Sequence, residues 1–225
     1  MSIRTFAELH EALSHFTGVG KRWLFRGHSC ADWKLVPKAA RINWRIDDLF
    51  VLDTWRRRAI QFATNLPETD WDWVAVAQHH GLATRLLDWS LNPLTAAFFA
   101  LEDETGLNPT IHAFAPNKFI DTATTRLSDF TGVGEYRPRG VTQRISHQIA
   151  VFTVHGPPSV EITAAAGFGA LHTLAIDHNS RASLLRELDF YGVNRQALFP
   201  DLDGLSAYVN WFFKNDVLHA TTPYG

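Results

Sequence analysis

The sequence predicts a single α+β domain, with helices flanking a β-sheet, on three observations. Segments of helical period and segments of alternating period follow one another along the 225 residues without an internal repeat. No low-complexity tract or linker divides them. A composition of 46% hydrophobic and 20% charged residues suffices for one full core.

The elements follow in order. Thr5 to Phe16 places apolar residues at helical spacing, with Thr5 and Glu8 in the positions of a capping box, so it predicts an entry helix. Arg22 to His28 reads as an aromatic-rich strand ending where Gly27 permits a turn or a close backbone approach. Asp47 to Thr64 is a second helix whose Trp55-Arg-Arg-Arg58 segment alternates packed and solvated faces. After the break at Pro67, Thr69 or Asp70 caps a helix from Trp71 to His80, and Gly81 stops it. Thr84 to Ser90 is a strand, and Asn92-Pro93 opens the next helix, Pro being tolerated in a first turn. That helix, Leu94 to Leu101, is apolar nearly all round and is expected to be buried.

Further strands are expected at Thr110 to Ala115, Ile149 to Val154 and Leu171 to Ile176, separated by loops rich in Pro and Gly. Ser180 to Tyr191 and Leu205 to Phe213 close the chain as helices. The stretch from Asn117 to Gly140 is the least periodic and reads as a mobile loop over the site.

Composition bounds the function. Lys plus Arg (21) nearly balances Asp plus Glu (23), so no global field draws the chain to nucleic acid or an anionic membrane, and any nucleic-acid contact is left to a local patch. The one cysteine, Cys30, excludes an internal disulfide and a thiolate-rich zinc site. Residues Met1 to His10 lack the apolar core of a secretory signal, and no apolar run approaches the about 20 residues needed to span a bilayer. A cytoplasmic protein without membrane contact is expected. Eight Trp and sixteen Phe point to a core and pocket built on aromatic packing.

Polar residues set inside the apolar run from Trp71 to Ala100 mark the candidate site: His79, His80, Thr84, Arg85, Asp88 and Ser90. Buried charges are costly unless paired, so their concentration here predicts a polar pocket. Alternation places Thr84, Leu86, Asp88 and Ser90 on one strand face and Arg85, Leu87 and Trp89 on the other. The helix that begins at Asn92 brings its positive end near Ser90, a candidate anion site. Arg26, between an aromatic and Gly27, can grip a phosphate or carboxylate through its planar fork, or it can be a structural partner of Asp88 or Glu102. His28 shares its face if the strand continues, and offers a hydrogen bond or acid–base chemistry near neutral pH.

Adjacent His79 and His80 on a helix point about 100° apart and need a third ligand, so no metal is expected. Ser90 lies outside any Gly-x-Ser-x-Gly elbow, and no Gly-rich nucleotide-binding signature occurs. Asp201 and Asp203 orient a substrate, bind Mg²⁺ or cap the last helix.

Phe25-Arg26-Gly27-His28, the run from Trp71 to Ala100, Arg144 to Phe152 and Phe199 to Gly204 together resemble the FRG domain family, named for its Phe-Arg-Gly motif. The resemblance spans about residues 21 to 211 and treats residues 1 to 225 as one domain. The order of parts is also similar to the split β-sheet of ADP-ribosyltransferases. In those enzymes an Arg or His on an early strand holds NAD, a Ser or Tyr on the next supports the nicotinamide ribose, and a later Glu orients the acceptor or stabilises the cationic state.

That likeness implies a mixed or split sheet, NAD as substrate, and a catalytic set of Arg26, Asp88, Ser90 and Gln148. Gly27, His28, Thr84, Arg85 and Trp89 would contribute to binding. Gln148 stands where a Glu is expected, and a Gln cannot bear the charge that steadies a developing cation. Two functional expectations therefore stay open. One is an NAD-dependent ADP-ribosyltransferase or NAD glycohydrolase with an unknown acceptor. The other is a non-catalytic module of a bacterial defence or toxin system that binds a nucleotide, a nucleic-acid end or a peptide.

Overall fold

A computed structural model describes residues 2–18, 20–42, 46–62, 66–138 and 150–215. The expected helices form where the sequence supplies starts and stops. Thr5 caps α1 (Phe6–Ser14), accepting from Glu8 N, while the Glu8 carboxylate reaches back one residue further, to Arg4 N. Helix α2 (Lys38–Arg41) is a single turn, and Asp47 caps α3 (Asp48–Ala59). Thr69 and Asp72 complete a reciprocal capping box on α4 (Asp70–His79), and Gly81 leaves the helix at φ +86°, where a side chain would be strained. Asn92 caps α5 (Pro93–Glu102). Helices α6 (Arg181–Phe190), α7 (Arg195–Leu198) and α8 (Leu202–Asn215) follow the sheet, and Asp201 Oδ1 accepts from Gly204 N at the start of α8, the capping alternative of the sequence.

The strands are β1 (Leu24–His28), β2 (Leu86–Ser90), β3 (Thr110–Pro116), β4 (Gly132–Tyr136), β5 (Ala150–Gly156) and β6 (Gly169–Ala175). They form one sheet in the order β4-β5-β2-β1-β3-β6, and every pairing between them is antiparallel. The fold is thus α+β, with an antiparallel rather than a mixed sheet.

The pairing is uneven. Five residue pairs join β1 to β3 and five join β2 to β5, whereas β1 and β2 are in register only at Phe25 and Ser90. The centre of the sheet is therefore a loose seam between two well-knit halves.

Both faces are covered. Phe25, Ile111 and Ala113 pack on one face beneath α1, α5 and α6, and Gly27 lets α5 settle directly on β1. A Cβ at that position would overlap the Ala96 carbonyl oxygen and the Ala100 nitrogen. On the same face of the other half, Leu86, Phe152 and Val154 meet Trp71, Val74 and Ala75 of α4. Leu24, Leu87, Trp89, Phe114 and Val151 fill the opposite face, under Leu35 and Ile162.

The expected mobile loop from Asn117 to Gly140 is corrected. It contains the edge strand β4, and Ile120, Leu127 and Phe130 join the core around α4. Tyr136 donates its hydroxyl to the Trp71 carbonyl at 2.8 Å. Gly132 and Gly134 in place of alternating large residues hid the strand. Among the described residues, no helix is long and apolar enough to cross a membrane.

Candidate functional site

The seam sets the site. Phe25 and Ser90 face each other, so Arg26 turns to the other side of β1, the side of Leu24 and His28. With the ladder lost beyond that pair, the Arg26 guanidinium bridges the gap. Its Nη1 donates to the Asp88 carbonyl at 2.7 Å, and its Nε donates to His28 Nε2 at 3.0 Å. The structural alternative for Arg26 is realised only in part, since it meets the Asp88 backbone rather than the carboxylate. Glu102 is taken by Arg195.

A cavity of about 350 Å³ opens along the seam, lined by Arg26, Gly27, Asp88, Ser90, Thr95 and Phe99 among others. Phe25, Trp89 and Ala96 complete its wall. The Asp88 carboxylate is exposed and accepts from Gln78 Nε2 at 2.9 Å. Ser90 and Asp88 lie on the same strand face, as alternation predicts. Ser90 Oγ, however, accepts from Asn92 N at 3.0 Å, and the Asn92 side chain accepts from Leu94 N. Local groups thus answer two amides at the start of α5, and Pro93 offers no donor, so little remains there of the anticipated anion site.

The other candidates have structural partners. Thr84 donates to Gln78 Oε1 at 2.6 Å and accepts from Leu86 N, strapping α4 to β2. Arg85 does not share the Arg26 surroundings. It forms a bidentate pair with Asp48 at 2.9 and 2.8 Å and donates to the Leu127 carbonyl. Trp89 donates its indole N–H to Thr153 Oγ1, which donates to His155 Nε2, and His155 Nδ1 donates to the Val160 carbonyl. Gln148 lies outside the described residues. His79 and His80 stack edge to face, and among the described residues no three His, Cys, Asp or Glu side chains stand close enough to hold a metal ion.

The electrostatics centre on Arg26. Burial lowers its guanidinium to about 10, Asp88 pulling the other way and Arg41 adding to the depression. Burial, then the charge of Arg26, lowers His28 to about 3, with His112 and Arg41 contributing. Burial and Arg26 lower His112 to about 4, and burial dominates in bringing His155 to about 4. Three buried imidazoles around one guanidinium are therefore neutral at physiological pH. His112 and Thr110 were not singled out in the sequence, although alternation along Thr110-Ile-His112 places both on one face of β3.

Such a seam can hold an anionic or polyhydroxylated ligand against a cation with few competing partners. No curated protein and no solved structure matches the chain. The family model described as FRG domain matches residues 21–108, which include Arg26, Gly27, His28, Thr84, Arg85, Asp88, Trp89 and Ser90 but neither Gln148 nor the Phe199 to Gly204 motif. The match runs from the approach to β1 past the end of α5 and includes both strands of the seam.

Proposed function

We propose that the seam between β1 and β2 binds a nucleotide-type ligand, and that the ligand is NAD, consumed by ADP-ribosyl transfer or by hydrolysis. The observation that carries this reading is the loss of pairing after Phe25 and Ser90, which opens a cavity with Arg26, Asp88 and Ser90 on its wall. An arginine on an early strand, a serine on its neighbour and the gap between them support the reading by analogy with ADP-ribosyltransferases.

In this reading Arg26 holds the anionic part of NAD, and Ser90 flanks the nicotinamide ribose. The ribosyl C1′–N bond breaks with its electron pair leaving on nicotinamide. The Asp88 carboxylate, exposed at the cavity, faces the positive charge that grows at C1′. Water or an acceptor nucleophile then bonds to C1′ and sheds its proton to Asp88 or to solvent.

A second reading, binding without turnover, has its own support. Among the described residues lining the cavity Asp88 is the one carboxylate, and its Oδ2 already accepts from Gln78. The test is nicotinamide release from NAD by the purified protein, beside Arg26→Ala and Asp88→Ala variants with checked melting temperatures. Release that disappears in folded variants supports turnover. A melting temperature raised by NAD without release supports binding alone, and neither response overturns both readings for this ligand.

A further inference from the structure

The sheet face opposite α5 carries a polar cluster of which the NAD reading uses Arg26 alone. Strand register arranges it in two rows. Arg26 stands beside His112, which stands beside Thr173, and His28 stands beside Thr110. All five share the face of Leu24 and Phe114. His112 Nδ1 bonds Thr173 Oγ1 at 3.1 Å, and the His28 and His112 rings meet edge to face at 4.8 Å.

Three atoms in these rows are buried without a hydrogen-bond partner: His28 Nδ1, Thr110 Oγ1 and His112 Nε2. Their residues are only 1, 3 and 6% exposed. Orphaned polar groups are costly and rare, and three on adjacent strand positions call for a common explanation.

Their chemistry is that of donors. Because Arg26 can only donate, His28 Nε2 accepts, and the proton of the neutral ring sits on the orphaned Nδ1. The Trp33 backbone lies near this ring but outside hydrogen-bond geometry. A Thr173 hydroxyl that donates to His112 Nδ1 leaves a proton on His112 Nε2 as well, and the Thr110 hydroxyl donates freely. Arg26 Nη2 has no partner among the described residues, and Arg41 adds a second positive charge felt by both Arg26 and His28. A buried water would answer some of these donors but not the two guanidinium charges.

We propose that this cluster is an oxyanion pocket that takes a phosphoryl group, either free phosphate or the terminal phosphate of a larger molecule. Arg26 and His28 Nδ1 would hold one side, with Thr110 Oγ1 and His112 Nε2 on the other. A phosphate dianion matches two guanidinium groups in charge and uses convergent donors through several oxygens. The exposed groups Trp33, Arg41 and Thr173 form the rim, with Trp33 edge to face with His28 at 5.8 Å. Arg26 is common to this pocket and to the seam, but phosphate binding here does not require NAD.

The probe is inorganic phosphate, with chloride at matched ionic strength as control. Thermal melts and imidazole ¹H–¹⁵N spectra are read on the wild type, Thr110→Val and His112→Phe. At about a hundredfold excess over its dissociation constant, phosphate is expected to raise the wild-type melting temperature by about 5–10 °C. It also shifts the His28 and His112 resonances.

Thr110→Val replaces an orphaned hydroxyl with a methyl of the same shape, so without phosphate it melts at or above the wild-type temperature. It nonetheless loses affinity about tenfold or more. Adenosine 5′-monophosphate binding more tightly than phosphate, with adenosine inert, identifies a terminal phosphate. Phosphate binding more tightly than the nucleotide identifies the free ion. A wild type indifferent to phosphate overturns the pocket, as does Thr110→Val responding like the wild type. Thr110 does not line the seam cavity, so a phosphate response with neither nicotinamide release nor a melting shift from NAD overturns only the NAD reading.

Discussion

Arg85 and Arg26 sit on neighbouring strands of one sheet and meet opposite fates. Arg85 lies at the start of the well-paired β2–β5 half, and its charge is fully answered by the Asp48 carboxylate, both side chains being under 10% exposed. Arg26 lies on the seam, where a carbonyl and a neutral imidazole are its only protein partners among the described residues. An arginine whose charge is matched within the fold belongs to stability. One whose charge is left for something else is positioned to bind.

The contrast can be broken from either side, and the largest effect falls on the matched arginine. Arg85→Ala strands the buried Asp48 carboxylate and should cost about 3–5 kcal/mol in urea unfolding. Gly27→Ala should come next, at about 3 kcal/mol, because its Cβ meets α5 backbone that cannot give way, and circular dichroism melts will show it. Should Gly27→Ala melt like the wild type, the close docking of α5 on β1 is wrong.

Acidification comes third. The buried His28, His112 and His155 bind protons in the unfolded chain from about pH 6.5 downward, but in the folded protein only near pH 3 to 4. The unfolded state holds more protons within that window, so stability is constant above it and falls as pH drops through it. Even one such imidazole removes about 2 kcal/mol between pH 7 and 5, before carboxylates with unfolded values near 4 contribute. Urea unfolding at pH 5, 6, 7 and 8 measures this slope, and a flat profile would show that the histidines are solvated.

Arg26→Ala should cost the fold no more than about 2 kcal/mol, since it removes two hydrogen bonds and strands no buried charge. Its effect on ligand should be far larger, and a variant that unfolds as readily as Arg85→Ala would place Arg26 with the scaffold. Asp88→Ala should be smallest, within about 0.5 kcal/mol for an exposed carboxylate, and only a ligand assay would detect it.

Much of this was legible in the chain. Caps at Thr5, Thr69 and Asn92, the stop at Gly81 and the alternation along Thr84 to Ser90 are local signals, and the elements they predict are present. The common face of Arg26 and His28 followed from strand parity, and their hydrogen bond did not. Strand β4 was missed because its glycines carry no hydrophobic pattern. Thr110 and His112 were passed over because two polar residues in an apolar strand do not announce which strand lies beside them.

Local sequence information placed the helices and most strands, set the α+β class, and carried the Arg26 motif that the FRG domain model matches. It could do so because capping and periodicity act over a few residues. Long-range contacts set β1 between β2 and β3, ended its pairing with β2 after one residue, and gave Arg85 the Asp48 carboxylate but Arg26 the Asp88 carbonyl and the His28 ring. Those facts depend on contacts between residues tens of positions apart, and no local pattern records which partner a charge will meet.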